Sequence, residues 1–104
     1  MSENRPIVGT EFKILVRVEP IDGVHMEDME FVCEFYTRLE SPFSVKKEEM
    51  IKVDADSYIA CVDTAGMKPG VVRNRITVEV PDRDFDDDYR REITDVSTGI
   101  KIIK

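Results

Sequence analysis

Tryptophan is absent from this chain of 104 residues, and histidine occurs once, at His25. A zinc site needs several nitrogen or sulfur ligands, and a hydrolytic triad needs a histidine that other groups orient. His25 stands beside Glu27 and Asp28 with no cysteine near it in sequence, which favours a surface histidine. A glycine-rich phosphate loop, a GxSxG motif and a CxxC motif are also missing. These absences predict a protein that is not an enzyme and binds no cofactor.

Long apolar runs are missing as well. No stretch approaches the roughly 20 residues of a membrane span, and the N-terminal MSENRPIVGT has no apolar signal-peptide region. We therefore expect cytoplasmic synthesis and no membrane partner. The net charge is −7 and acidic residues offset the arginines. Nucleic acid selects clustered basic residues, so the sequence predicts no nucleic-acid partner either.

Cysteine is scarce, with only Cys33 and Cys61. Cys33 alternates with Phe31 and Phe35, which predicts that it faces a core. A disulfide between two sheets, as in immunoglobulin domains, is one interpretation, but the spacing is short and no tryptophan is present to pack on the bridge. Because the chain shows no export signal, we predict two reduced, buried thiols.

What the chain has in abundance is period-two alternation of apolar and polar residues, the pattern of a strand with one buried face. The alternation is longest between the Pro69-Gly70 turn and Pro81-Asp82, where proline ends the run because it cannot donate to a sheet ladder. One face of this segment holds Val72, Asn74, Ile76, Val78 and Val80. The other face holds Val71, Arg73, Arg75, Thr77 and Glu79. We predict a long strand with one buried face and one wet, charged face.

Further strands are predicted on both sides of this segment. Phe12 to Val18 and Glu30 to Thr37 alternate, and Tyr58 to Thr64 is largely apolar on both faces, which is typical of a central strand. Tyr89 to Val96 and Ile100 to Ile103 supply the last strand material, with a bulge or turn at the intervening glycine, Gly99.

Residues 45 to 53 are ambiguous. KKEEM favours helix by propensity, whereas the following IKV resembles a short strand. We predict an edge strand here, whose charges discourage pairing with other molecules. A break in the chain is predicted just before it, at Ser41-Pro42.

These segments predict an all-β fold, an antiparallel immunoglobulin-like β-sandwich of six to seven strands, with a small β-barrel as the alternative. The length suits one domain with its own core. Residues 1 to 9 show no periodicity and are expected to form a flexible N-terminal arm. Residues 10 to 104 are expected to form the single sandwich domain.

Four aspartates occupy alternate positions after the long strand: Asp82, Asp84, Asp86 and Asp88. Carboxylates spaced in this way converge on Ca²⁺ in EF-hand loops. Such a loop needs glycine at its sixth position and glutamate at its twelfth, and this chain has Asp87 and Ile93 there. We predict a solvated acidic turn that Arg83, Arg90 and Arg91 partly neutralise and that Phe85 and Tyr89 pin to the sandwich. A cation site is the alternative.

Four residues are candidates for a protein interface. Val32 and Tyr36 share the outer face of the second strand, and Arg73 and Arg75 share the outer face of the long strand. If the two strands are neighbours, arginines and glutamates pair across the sheet. A mixed polar face with a few apolar anchors suits docking to a protein partner or self-association, and an ordinary solvated face is the alternative.

The order of the segments FKILVRV, FVCEFYT, YIACVDT, VVRNRITVEVP and YRREI resembles small β-sandwich proteins of bacteriophages and prophages. Their relatives include N-terminal domains of baseplate and tail-fibre proteins. The resemblance covers residues 10 to 95, and depends on YIACVDT, on Gly70 and on the Pro81-Asp82…Phe85…Arg90 segment. It implies a non-enzymatic virion component, located in the particle after assembly. A carbohydrate- or calcium-binding module is the alternative, with Tyr36, Phe43 and Tyr89 as the candidate sugar-binding aromatics.

Overall fold

The computed structural model describes residues 6–38 and 42–104. Within these ranges seven strands form in chain order: β1 (Glu11–Arg17), β2 (Glu30–Tyr36), β3 (Phe43–Lys46), β4 (Ile51–Asp54), β5 (Ser57–Asp63), β6 (Gly70–Pro81) and β7 (Tyr89–Ile102). Two short 3₁₀ turns, Met26–Asp28 and Lys47–Glu49, lie between strands, and no α-helix occurs in the described ranges. Ser41 of the predicted chain break lies outside these ranges.

The strands build two antiparallel sheets. The first has the order β1-β5-β4 and the second the order β3-β2-β6-β7. In an immunoglobulin-like sandwich the strands called B, E and D form one sheet, and C′, C, F and G form the other. If β1 to β7 are called B, C, C′, D, E, F and G in chain order, the two observed sheets have the same strand arrangement. The predicted fold class is confirmed, and the described sheets do not close into a barrel. The central position predicted for β5 is confirmed as well.

The core lies between the two sheets and is built from alternate residues. On β6 the predicted inner face is buried or half-buried throughout, and its outer face is more exposed. Opposite β6, β2 contributes Phe31, Cys33 and Phe35. The Phe31 ring packs in an edge-to-face arrangement on the ring of Tyr58, which belongs to the other sheet, and the two ring centroids lie 5.0 Å apart. Alternation along each strand therefore delivers one apolar layer from each sheet, as the sequence predicts.

Residues 45 to 53 do not form the single edge strand that was predicted. The segment divides into β3, at the edge of the four-stranded sheet, and β4, at the edge of the three-stranded sheet. A 3₁₀ turn joins them, and Glu49 closes it by accepting a hydrogen bond from the Lys46 N–H at 3.0 Å. The buried side chain of Met50 follows the turn. Both halves are edge strands, but the chain crosses from one sheet to the other between them.

The first nine residues are only partly described. Residues 1–5 lie outside the described ranges, and residues 6–8 lie beside Ile103, which directly follows β7. Ile7 forms a parallel bridge with Ile103. The Ile103 N–H donates to the Pro6 carbonyl at 2.9 Å, and the Val8 N–H donates to the Ile103 carbonyl at 2.8 Å. The described part of the arm is therefore joined to the end of the sheet by backbone hydrogen bonds, and the flexibility predicted for residues 1 to 9 stays a prediction.

The last strand is continuous from Tyr89 to Ile102, and it carries a bulge at Gly99, where the sequence predicted a bulge or a turn. Val71 of β6 pairs with Lys101, and Arg73 pairs with Ser97, so three residues of β7 lie opposite one residue of β6. Gly99 lies in this bulge with a φ of 78°, in the left-handed region that glycine adopts without steric cost.

Candidate interaction surface

Three strands bring Tyr36, Arg73, Arg75 and Asp95 together on the outer face of the four-stranded sheet, and we call this group the Asp95 cluster. The Tyr36 hydroxyl donates to the Asp95 carboxylate. Arg73 donates from Nε to the same carboxylate at 2.9 Å, and the Nε of Arg75 lies 3.5 Å from it. The Arg75 guanidinium also covers the Tyr36 ring, 5.8 Å from the ring centroid. Tyr36 is only 6% exposed, although it projects from the outer face.

The structure therefore unites three of the four predicted interface residues, and it adds a residue that sequence reasoning missed. The predicted partner strands are neighbours, with Arg75 directly opposite Glu34. Arg75 nevertheless pairs with Asp95 of β7, its neighbour on the other side. Asp95 occupies an odd-numbered position of β7, and these positions face outward like the odd-numbered positions of β6. The sequence alone does not show this, because it does not show that β7 lies beside β6.

Val32, the fourth candidate, stays outside the cluster. It lies opposite Thr77 of β6 and Lys46 of β3. These residues line a shallow surface depression of about 380 Å³ whose remaining rim is mostly acidic. The other lining residues are Glu30, Glu48, Glu79 and Phe31.

The charges of the cluster stabilise each other. The pKa of Asp95 lies below its ordinary value because the Tyr36 hydroxyl donates to it and because Arg73 and Arg75 lie beside it. The same contact raises the pKa of the Tyr36 hydroxyl, since ionisation would place two negative charges together. At neutral pH the cluster is therefore a fixed arrangement of one anion, two cations and a neutral donor.

Strand β7, which carries Asp95, forms the edge of the four-stranded sheet. Among the described residues, no strand lies on its far side between Tyr89 and Ser97. Its 14 residues exceed the usual strand length of roughly 3 to 10 residues. Ile93 on the outer face is 61% exposed, and Val96 on the opposite face is 43% exposed. This stretch is a long sheet edge that the described chain leaves uncovered.

Two sets of hydrogen bonds show which backbone groups of β7 point outward. At the turn, the Asp82 N–H donates to the Asp88 carbonyl at 2.8 Å, so the backbone N–H and C=O groups of even-numbered residues there point towards β6. At the other end, the backbone groups of Ile103 bond to Pro6 and Val8 on the far side, so the backbone groups of odd-numbered residues point away from β6. The bulge adds two residues to β7 and so preserves this alternation. The backbone N–H and C=O groups of the odd-numbered residues from 91 to 97 therefore point to the uncovered side.

The acidic turn is arranged by hydrogen bonds within itself. Asp82 accepts from the Asp84 N–H at 3.1 Å and from Arg90 Nη1 at 2.7 Å. The side chains of Asp84, Asp86 and Asp88 are exposed. In the part of the chain that the structure describes, no three potential metal ligands converge, here or elsewhere.

Of the three arginines predicted to neutralise the acidic turn, Arg90 bonds Asp82, whereas Arg91 lies near Glu79 of β6. Arg90 also joins carboxylates outside the turn. Besides Asp82, it reaches Asp22 at 2.8 Å and Glu92 at 3.1 Å. The predicted aromatic anchors are wrong, because Phe85 is 47% exposed and Tyr89 41% exposed. An arginine, whose fork of donors serves several acceptors at once, fixes the turn instead.

His25 is half-exposed, and its Nδ1 lies 3.0 Å from the Asp56 carboxylate. Asp56 also accepts a hydrogen bond from the Met26 N–H at 3.0 Å. The Asp56 contact raises the pKa of His25 above its ordinary value of 6.5, and the donors lower the pKa of Asp56. The pair holds the connection after β1 against the connection between β4 and β5, which agrees with a surface histidine.

Both cysteines are unbridged, but they differ in exposure. Cys33 is fully buried, and burial raises the pKa of its thiol to about 12. Cys61 is exposed on β5, so the prediction that both thiols are buried is wrong for this residue. Cys61 lies on the outer face of β5. The strands beside a central strand cover its edges and leave its outer face open to solvent.

That outer face carries an aliphatic row that the sequence reasoning missed. Leu15, Ile59 and Ile51 face one another across the three strands of the sheet. Leu15 is 58% exposed and Ile51 51% exposed. The signal was Leu15 itself, an apolar residue on the otherwise charged face of the first strand.

No match to this chain is found among protein-family models, curated proteins or solved structures. The fold alone defines the class, an immunoglobulin-like β-sandwich. No helix in the described ranges has both the length and the apolar character that crossing a membrane requires.

Proposed function

We propose that this chain is a non-enzymatic assembly module that acts through protein–protein contacts along β7 and the adjacent Asp95 cluster. The observation that carries the proposal is the row of outward-pointing backbone groups on β7 from Arg91 to Ser97. Uncovered edge groups of this kind bind another strand by extending the sheet, and side chains at alternate positions set the specificity.

The way the rest of β7 is protected supports this proposal. Natural sheets guard exposed edges with inward-pointing charges, prolines, bulges or short strands. On β7 such devices lie at the two ends. Arg90 is on the inward-facing side at one end, where it bonds the neighbouring inward-facing Glu92, and the Gly99 bulge distorts the other end. The segment between them, from Arg91 to Ser97, keeps its regular pairing with β6 and has an accessible outer edge.

The Asp95 cluster gives this edge a fixed polar border. Its side chains are already bonded to one another, so docking beside them loses little side-chain entropy. Ile93 is an apolar anchor two residues from Asp95 on the same face. An apolar centre with a polar, pre-ordered rim is the usual organisation of a specific interface.

The larger structure in this proposal is a phage or prophage virion, in its tail, baseplate or fibre. The ground for that part is the resemblance in segment order to phage sandwich domains. The absence of catalytic motifs from the sequence agrees with a structural role.

Site-specific photo-crosslinking in the native host tests the proposal. A photoreactive phenylalanine analogue replaces Ile93 in one variant and Leu15 in the other, because the two residues are similarly exposed, at 61% and 58%, on different sheets. We expect a discrete cross-linked product from position 93 and none from position 15, and mass spectrometry of the product to identify either a virion protein or the chain itself. A position-93 variant that yields no product in cells assembling particles would contradict the proposed function.

A further inference from the structure

We infer that the β7 edge pairs with β7 of a second copy of this chain, antiparallel and centred on Ile93. The inference deepens the proposed function and depends on it, since it names the partner of the same edge. The result is a two-fold dimer in which two four-stranded sheets join into one continuous sheet of eight strands.

Symmetry limits the possible registers. A two-fold axis normal to the sheet reverses the strand direction and keeps each face on its own side. Residues that oppose each other across the new junction must therefore both be odd-numbered or both be even-numbered. Centring on Ile93 places Ile93 opposite its own copy and places Arg91 of each chain opposite Asp95 of the other.

The charges along β7 select this register over its neighbours. Moving the centre to Glu92 sets Glu92 opposite Glu92, and moving it to Asp95 sets two aspartates opposite each other. Like charges directly opposed across a sheet are destabilising. A centre at Thr94 places the apolar Ile93 opposite Asp95 and Arg91 opposite Ser97. Among these registers, only the one centred on Ile93 places Arg91 opposite Asp95 on both sides of the centre and Ile93 opposite its own copy.

The backbone direction agrees with the same register. The odd-numbered residues of β7 point their N–H and C=O groups to the uncovered side, as Ile103 shows at the end of the strand. In the Ile93 register the facing pairs at positions 91, 93 and 95 are all odd-numbered. Each exchanges two hydrogen bonds, which gives roughly six across the junction.

The side chains at the junction are placed for this contact. Arg91 is held only loosely, 3.8 Å from Glu79, and its side chain is 65% exposed. Asp95 is held in position by Tyr36 and Arg73. Arg91 of the second copy therefore adds a further cation to a carboxylate that is already oriented, and both halves of the dimer make this contact.

Cysteine cross-linking reads the register directly. In a Cys61→Ser background, which removes the exposed native thiol, single cysteines are placed by Glu92→Cys, Ile93→Cys and Thr94→Cys. In the proposed register two copies of residue 93 lie about 5.5 Å apart between Cα atoms, within disulfide range. Residues 92 and 94 each lie beyond about 7 Å from their own copies. We expect rapid disulfide formation under mild oxidation from Ile93→Cys alone. Preferential cross-linking at position 92 or 94 would overturn the register.

Light scattering measures the association itself over roughly 5 to 500 micromolar, the range suited to a small interface. We expect a concentration-dependent shift from 12.0 kDa towards twice that mass. Ile93→Lys should raise the dimer Kd at least roughly tenfold, because it opposes two lysines at the centre. Leu15→Lys, equally exposed on the other sheet, should leave it unchanged.

The outcomes separate this inference from the proposed function. A chain that stays monomeric throughout, or a dimer that Leu15→Lys weakens and Ile93→Lys does not, overturns self-pairing through β7. If a monomeric chain still gives a photo-crosslinked product with a different protein at position 93, the assembly function stands and only the second copy is wrong as the partner.

Discussion

At the residue scale, the ends and the outer face of this sandwich are held by carboxylates that each accept from more than one donor. These are Asp56, Asp82 and Asp95, and each joins segments far apart in sequence or fixes a turn. The chain has 22 acidic and 15 basic residues, and the acidic turn after β6 was predicted to be solvated. Part of that acid instead has a structural task.

The His25–Asp56 pair makes stability depend on pH. The pKa of His25 is raised, so its contribution is present below the ordinary value of 6.5 and is lost as pH rises through the folded pKa. The pKa of Asp56 is lowered, so its contribution is present above the ordinary value of 3.8 and is lost as pH falls through the folded pKa. We expect the pair to stabilise most between these two ordinary values.

An NMR titration of the His25 ring checks this directly. The midpoint should lie above 6.5 in the native chain and should fall towards 6.5 in Asp56→Asn, which removes the anionic acceptor. Asp54→Asn, on a neighbouring exposed carboxylate, serves as the control and should leave the midpoint in place. An identical midpoint in the native chain and in Asp56→Asn would show that the contact has no electrostatic effect.

At the element scale, β6 and β7 form the long hairpin on which the proposed interface depends. The bulge opposite Val72 shifts the register of the C-terminal part of β7, and the regular part from Tyr89 to Ser97 keeps its pairing with β6. Bulges are sites where a strand changes direction and ends regular pairing. The Gly99 bulge therefore lies between the accessible edge and Ile103, the residue after β7 that pairs with Ile7.

Gly99→Ala should destabilise the fold by roughly 1 to 2 kcal/mol, because the φ of 78° is unfavourable for a residue with a Cβ. An added Cβ meets no atom within 4 Å, so the loss reports the backbone conformation and not a clash. Gly66→Ala is the matched control, since that site is equally spacious and lies outside the left-handed region. Urea unfolding measures both variants, and equal stabilities would contradict a strained bulge.

At the scale of the whole molecule, the two sheets share one core that the connections help to close. Met26 and Met29 before β2, Met50 before β4 and Met67 before β6 are all buried. Methionine is flexible and fills irregular gaps, which suits the open ends of a sandwich where strands no longer alternate. Phe35 lies in the middle of this core and is fully buried.

Phe35→Ala should lower the free energy of unfolding by about 3 to 5 kcal/mol through lost burial and the cavity that remains. A loss of that size is a large part of the total stability of a typical domain, roughly 5 to 15 kcal/mol. Phe85→Ala removes the same side chain from an exposed site and should change stability by less than about 0.5 kcal/mol. Chemical denaturation followed by circular dichroism compares the two, and similar losses would mean that Phe35 is not at the centre of the core.

The sequence by itself determined the strands with long alternation and the faces they bury. The inner face of β6 and the burial of Cys33 were predicted correctly, and Gly99 was correctly identified as the site of a bulge or a turn. Each depends on short-range geometry, because side chains in a strand alternate between faces and glycine alone tolerates a positive φ without cost.

The tertiary structure decided which elements became neighbours. Residues 45 to 53 divided between two sheets because β3 pairs with β2 and β4 pairs with β5. The turn between β3 and β4 directs each short strand to its partner, and local sequence does not identify that partner. Cys61 became exposed because the outer face of β5 is covered by nothing in the described chain. Asp95 entered the cluster because β7 pairs with β6 across a hairpin, which brings its carboxylate to Tyr36, 59 residues away. Alternation sets the face of each of these side chains, but only the pairing of strands sets what lies beside it.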